Sequence, residues 1–214
     1  MRIGHFSDIH GNISKLLGSS ELPDVWVCSG DFFPNATRGD RSVEVGFQAA
    51  WFKQVVNTLI ARFGGKPVVW VGGNHDYVNL AELLRENGYE AAFDATVEAV
   101  EIGGHRFAGM REIPWIAGEW NGEEHDLSPM VDRVFEADPT ILVTHAPAAG
   151  ILDDDNGGGH GCGNRPLTRA LTYRPHRIVA HLFGHIHDQS GREVEEMGIR
   201  FYNNAETLRF IEVP

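Results

Sequence analysis

The sequence predicts an α/β fold, a mainly parallel sheet covered by helices with a second sheet packed against it. Three observations carry this. Five short apolar runs, at residues 2–6, 25–29, 66–72, 140–144 and 177–183, are each followed by Asp, Asn or His. Between them lie segments whose apolar residues recur at three- and four-residue steps, the spacing of one helix face. Later in the chain, short alternating runs and a Gly-Gly turn read as antiparallel strands.

The elements follow in order. Arg2 to Phe6 reads as a strand buried on both faces. Asn12 to Leu17 reads as a short helix ended by Gly18, after which Pro23-Asp24 lead into the second strand. Phe32 to Arg41 is rich in turn residues and reads as a loop, where Arg38 and Arg41 are either a phosphate clamp or solvated arginines. From Ser42 to Arg62, with Phe63 beyond it, Val45, Ala49, Phe52, Val56, Leu59, Ile60 and Phe63 mark an amphipathic helix. Its N-cap is Ser42 and its stop Gly64-Gly65. Lys66 to Gly72 is the third strand. Leu80 to Asn87 is a helix opened by Asn79 or its predecessor and closed by Gly88.

Thr96–Ile102 and His105–Met110, joined by Gly103-Gly104, read as a β-hairpin. Arg111 to Asp126 shows no period and reads as a loop, whose Trp115 and Trp120 either stack on a substrate ring or plug the core. Ser128 to Ala137 reads as a helix with Ser128 as N-cap and Pro129 at its first position. Thr140 to Thr144 is a strand. The glycine-rich stretch 147–165 lacks the Gly-Lys-Ser/Thr ending of a P-loop and suits a lid. Its Asp153, Asp154 and Asp155 are either an extra cation site or a solvated acidic turn. Asn164 to Tyr173 is a helix and Arg177 to Phe183 a strand. Arg192–Glu196, Ile199–Asn203 and Thr207–Val213 read as an antiparallel meander that joins the hairpin in the second sheet.

With 214 residues, 42% hydrophobic and 22% charged, the composition is that of one ordinary globular domain, residues 1–214. No run approaches the roughly 18 apolar residues of a membrane span. The first strand begins at residue 2, which leaves no room for a signal peptide and implies a cytoplasmic protein. Cys28 reads as a buried thiol and Cys162 as a loop residue, with no disulfide between them expected. A net charge of −12 argues against a long nucleic acid as partner.

The chemistry lies at the strand ends. Asp8 and His10 are two residues apart, so an extended chain aims a carboxylate and an imidazole the same way. Asp31, Asn74-His75-Asp76, His145, and His185 with His187 follow the other four runs. Gly30, Gly73 and Gly184 directly precede three of these. In open α/β sheets ligands bind at the carboxyl ends of strands, where glycine permits close approach. Mixed oxygen and imidazole donors suit transition metals better than Ca.

Asp8-x-His10, Gly30-Asp31, Gly73-Asn74-His75-Asp76, His145-Ala146-Pro147 and Gly184-His185-x-His187 together resemble the ordered motif set of the calcineurin-like metallophosphoesterases. Gly109 to Trp120, His145 to Asp153, Gly161-Cys162 and Tyr202-Asn203-Asn204-Ala205 resemble its MPPED-type phosphodiesterase branch. The resemblance implies a four-layer α/β/β/α sandwich, two mixed β-sheets flanked by helices. It implies two adjacent divalent metals (Mn, Fe, Zn or Ni, with Mn favoured for activity), one on Asp8, His10, Asp31 and His187. The other takes Asp31, Asn74, His145 and His185, so Asp31 bridges. It implies a phosphoric ester hydrolase, attacking phosphorus in line with a metal-bridging hydroxide, on small phosphodiesters with cyclic nucleotides among them. A phosphomonoesterase acting on a phosphoprotein or metabolite is the alternative. A metal-free interaction module would predict eroded ligands, and all seven are present.

His75 is the expected catalytic residue, as acid or electrostatic partner to the leaving oxygen, with Asp76 its orienting partner and Arg111 a contact for substrate phosphate. Many relatives carry an acidic residue three positions after the bridging Asp, where this chain has Pro34. His5 and His181 read as packed strand residues, His160 as a loop residue.

Overall fold

The computed structural model describes residues 1–37, 39–114, 119–154 and 161–214. In chain order the strands are β1 (Arg2–Phe6), β2 (Val25–Cys28), β3 (Val68–Trp70), β4 (Ala92–Asp94), β5 (Val100–Ile102), β6 (His105–Met110), β7 (Ile113–Pro114), β8 (Asn121–Gly122), β9 (Ile141–Thr144), β10 (Ala180–Phe183), β11 (Glu193–Glu196), β12 (Ile199–Asn203) and β13 (Leu208–Glu212). The helices are α1 (Ser14–Leu17), α2 (Arg41–Phe63), α3 (Leu80–Glu86), α4 (Glu124–Glu136) and α5 (Arg165–Tyr173).

Two mixed sheets result, ordered β13-β1-β2-β3-β4 and β11-β12-β10-β9-β6-β5. Strand alternation sorts the apolar residues into three layers. Ile3, Val25, Val27, Val69 and Val71 of the first sheet meet Phe107, Ile141, Val143, Ala180 and Leu182 of the second. On the far side of the first sheet, Phe6, Trp26, Val68 and Trp70 pack under Phe52, Leu59 and Phe63 of α2 and Leu80 and Leu84 of α3. Beyond the second sheet, Leu142, Phe183 and Phe201 meet Leu127 and Val131 of α4 and Leu167 and Leu171 of α5. This is the α/β/β/α sandwich. Both faces of the central strands are covered, which is why their sequences run apolar without a gap.

Several boundaries differ from expectation. The three late runs do not form one meander. β11 and β12 pair in the second sheet, but β13 crosses over and runs antiparallel to β1 at the edge of the first. At that edge its alternating residues face two cores, Ile211 the one between the sheets and Leu208 and Phe210 the outer one. The strands that deliver His145 and His185, β9 and β10, are neighbours in the centre of the second sheet. The donor-bearing strand ends therefore come from both sheets.

Helix α4 starts four residues before the expected Ser128. Glu123 and Asp126 form a reciprocal capping box, the Ser128 hydroxyl donates to the Glu124 carbonyl, and Pro129 lies inside the helix. The cap of α2 is Asp40, whose Oδ1 accepts from the Ser42 N–H at 3.0 Å. Its buried stripe also differs. Phe52, Val56, Leu59 and Phe63 continue N-terminally through Gln48 and Glu44, while Val45 is exposed. The expected loop at 111–126 holds the two-residue parallel pair β7–β8, and the hairpin's first strand starts at Val100 because Thr96 turns on Asp94. No helix among the described residues is long and apolar enough to cross a membrane.

Candidate metal centre

Beyond their last paired residues, β1 and β2 stay zipped by backbone bonds, Asp8 N–H to Gly30 O at 2.9 Å and His10 N–H to Asp31 O at 3.0 Å. That holds Asp8, His10 and Asp31 at one rim of the sandwich. From the second sheet, Gly184 N–H to His145 O (3.0 Å) ties the ends of β9 and β10 together. The three glycines are obligatory there. A Cβ at Gly30 would stand 2.5 Å from His145 Nδ1, and at Gly73 or Gly184 it would overlap a carboxylate oxygen of Asp31 or Asp8.

The backbone is strained at the same place. Of nine described non-glycine residues with positive φ, four are expected donors: Asp8 (52°), His10 (43°), Asp31 (51°) and His185 (68°). Each such residue costs on the order of 1–3 kcal/mol and persists only where its surroundings over-determine it.

All seven expected metal residues lie at this rim. His187 Nε2 is 3.2 Å from Asp8 Oδ1, and His10 Nε2 is 3.9 Å from Asp31 Oδ2. His145 Nε2 is 3.0 Å from Asn74 Oδ1 and 3.4 Å from Asp31 Oδ2. The His145 and His185 rings are 4.9 Å apart. Asp8, His10 and His187 form one group of donor atoms within metal-sharing reach, and Asp8, Asp31 and His145 another.

The electrostatics fit a cation site. Burial would raise Asp31, but His145, His75 and His10 around it hold its carboxyl far below the ordinary range. Burial opposes charge on His145 as well, yet Asp31 beside it lifts its pKa to about 9. Enclosure and the neighbouring His145 press His185 down to about 4. A neutral His185 keeps a lone pair, and its Nε2 is buried without a hydrogen-bond partner. That orphaned nitrogen, beside two buried carboxylates, has the protonation state and surroundings that a metal ligand requires. A second contact aims the His145 ring, whose Nδ1 meets Ser29 O at 2.8 Å, while the backbone N–H of His185 donates to Asp8 Oδ2 at 2.9 Å and fixes that residue's main chain. The donor set fits two divalent cations.

His75 sits at the edge of the group, its ring edge-on to His10 with centroids 5.5 Å apart. Its N–H donates to Asp31 Oδ1 at 2.8 Å. Asp76 is spent elsewhere. Oδ1 accepts from the Phe32 and Phe33 N–H groups (2.9 and 3.1 Å) and Oδ2 from Gly73 N–H (2.9 Å), so the carboxylate clasps the Asp31 loop to the Asn74 loop. No described hydrogen bond joins it to the His75 ring. Arg111 Nη2 donates to Asp76 O at 2.8 Å, and its guanidinium lies 3.8 Å from the centre of the Trp120 ring. Trp120 thus has one face covered by Arg111. Arg41 stands 5.4 Å from that ring and 3.9 Å from Glu119. Arg38, Trp115, Asp155 and His160 lie outside the described residues. Asp153 is buried, with Oδ2 accepting from Gly163 N–H, and Asp154 pairs as an isolated bridge with Gly161.

Sequence reasoning missed Gln48 and Glu44. Counting back four residues at a time from Phe52 along α2 finds both, and they serve the loops around the site. Glu44 accepts from the Ala36 and Thr37 N–H groups, and Gln48 donates to His75 O at 2.7 Å.

The sequence model of the calcineurin-like phosphoesterases matches residues 1–189. No curated protein sequence matches the chain. One solved crystal structure superposes with a TM-score of 0.64 at 11% identity, covering 99% of this chain and 98% of that one. A second is a Staphylococcus aureus protein assigned as a 5′-nucleotidase and crystallised with α-ketoglutarate. Its TM-score is 0.50 at 13% identity, over 94% of this chain and 48% of that one, so this chain spans about half its length. At these identities the likeness is one of fold.

Proposed function

The chain belongs to the calcineurin-like phosphoesterase family, and we propose that it is a dinuclear metal-dependent phosphodiesterase acting on small diesters, cyclic nucleotides among them. The observation that carries this is the pair of donor groups at the ends of both sheets, Asp8 with His10 and His187 and Asp8 with Asp31 and His145, with the orphaned Nε2 of His185 on the ring next to His145. In this reading Asp8, His10, Asp31 and His187 hold one cation and Asp31, Asn74, His145 and His185 the other. When bound, the pair supplies Lewis-acid polarisation of phosphoryl oxygens and a lowered pKa for water, for which Mn is our first choice.

The chain's own residues do the rest. His75 gives a proton to the leaving alkoxide as its bond to phosphorus breaks and a water oxygen takes its place. Asp76 keeps the Asp31 and Asn74 loops in register. Arg111, its Nη2 already committed to Asp76 O, contributes positive charge at the rim. A net charge of −12 repels long nucleic acids, so the substrate is small. Residues 1–214 act as one unit in this reading, in a reducing compartment such as the cytoplasm that suits the two free cysteines.

The second reading, a phosphomonoesterase, draws on the fold likeness to the protein assigned as a 5′-nucleotidase. Hydrolysis of bis-p-nitrophenyl phosphate and p-nitrophenyl phosphate, side by side with Mn or EDTA, decides between them. We expect Mn-dependent cleavage that favours the diester and disappears in Asp31→Ala. A monoester preference selects the second reading, and a protein that binds no metal overturns both.

A further inference from the structure

We infer that Gln48 is the positioning residue for His75, holding its peptide so that the ring faces the leaving group; this rests on the reading of His75 as the acid. Gln48 lies wholly buried on α2. A buried amide is costly unless paired, and here each half is paired. Nε2 donates to His75 O at 2.7 Å and to Pro34 O at 3.2 Å, while Oε1 accepts from the Tyr77 N–H at 2.8 Å. All three bonds go to backbone at or beside the site. The reverse amide orientation would set oxygen against both carbonyls, so the network fixes which way the side chain points.

The consequence falls on His75. Its carbonyl takes a second bond from Asn35 Nδ2 at 3.3 Å, and its N–H is held by Asp31 Oδ1 at 2.8 Å. With both backbone polar groups fixed, the Cα–Cβ direction is set and only the side-chain torsions remain. No described hydrogen bond reaches the ring itself. Its aim therefore comes from the peptide, and Gln48 grips that peptide from behind while Asp31 grips it from the front. Proton transfer demands such aim, because a donor acts only within hydrogen-bond reach of the oxygen it protonates.

The test uses the metal-loaded enzyme and a pair of diesters, p-nitrophenyl methyl phosphate and phenyl methyl phosphate, whose leaving groups differ in their need for a proton. Gln48→Glu keeps an acceptor for Tyr77 and replaces two N–H donors with at most one O–H, so the double grip on His75 O and Pro34 O is lost. We expect it to retain the nitrophenyl rate within about threefold and to lose about tenfold or more on the phenyl ester, part of the 10²–10⁴ that a general acid supplies. Asn35→Ala, a milder change in a loop, moves the same ratio in the same direction by less. Two metals per chain, counted by calorimetry, should remain in both. In a His75→Ala background the Gln48→Glu effect on the ratio should vanish. If His75→Ala sharpens the leaving-group dependence but Gln48→Glu and Asn35→Ala slow both esters alike or not at all, the positioning role is wrong and the acid stands. If His75→Ala leaves the dependence flat, the acid itself is wrong and the inference falls with it.

Discussion

The two sheets contribute unequally to the centre. The first supplies Asp8, His10, Asp31 and Asn74, and its loops hold one another by their own backbone bonds, the Asp76 clasp and the zipped β1 and β2 ends. The second supplies only imidazoles, and each leans on the first sheet. His145 Nδ1 meets Ser29 O, the His185 N–H meets Asp8 Oδ2, and His187 Nε2 meets Asp8 Oδ1. The carboxylate half is self-supporting, whereas the histidine half is built against it. Loss of a carboxylate should therefore undo more than loss of a histidine.

The largest effect should come from Asp31→Ala, which removes the oxygen donor beside His10 and His145 and the acceptor of the His75 N–H. We expect turnover to fall by at least about 10³, in line with losing electrostatic stabilisation at the reacting centre. Bound metal, measured after desalting, should drop from two per chain to fewer than one. His187→Ala should keep one metal, since His145, Asn74 and Asp31 are untouched. Equal losses in the two variants would break the asymmetry. Gly184→Ala sharpens it further, because the new methyl lands on Asp8 Oδ2 and Ser7 Oγ at the junction of the halves. It should cost one metal and several degrees of Tm. Gly191→Ala, at a residue whose φ of 72° is left-handed but with open space around it, should cost only about 1 kcal/mol and no metal.

Much of this was legible in the sequence because the site is written in strand-end residues. A buried strand must stop at a polar residue, and the glycine before Asp31, Asn74 and His185 announced the close approach that the structure shows. The sandwich was harder to read. Nothing local in Leu208 to Val213 says that β13 leaves the neighbours of β12 for the edge of β1, since a strand's partner is decided by packing across the whole chain. The Asp76 role escaped for a related reason. A carboxylate next to a histidine suggests a pair, but its oxygens were nearer to three unsatisfied backbone amides. Glu44 and Gln48 were overlooked because a search for apolar spacing discards polar residues, even where they continue the buried stripe of α2.

Metal binding should tie the halves together and stabilise the fold. A cation at 100 times its Kd stabilises a fold by about 2.7 kcal/mol. For a chain of this length that is roughly 5–10 °C in Tm for each site. Hydrogen exchange should slow in the loops of both sheets, at Asp31–Phe33 and at His185–His187. Slowing in the histidine loops alone would fit a first sheet that is fully preformed, and would sharpen the comparison.

Each sheet also buries a histidine that the centre does not use. His5 meets Ser29 Oγ at 2.9 Å, and His181 meets Thr144 Oγ1 at 2.7 Å. Burial, then Arg209, holds His5 down to about 3, and burial, then His5, does the same for His181. The folded pKa lies below the unfolded 6.5, so between those values the unfolded chain binds more protons, and stability rises with pH. It is complete above 6.5 and is lost as pH falls toward 3. Each histidine contributes a slope of about 1.4 kcal/mol per pH unit. In metal-free protein, denaturant unfolding followed from pH 6 to 4.5 should show His181→Gln flattening the slope by about that amount, because Gln can keep the Thr144 bond and takes up no proton. An unchanged slope would mean that His181 already exchanges protons with water in the native state. The second sheet would then be open from its outer face, and its histidines would lean on the first sheet through a more mobile wall.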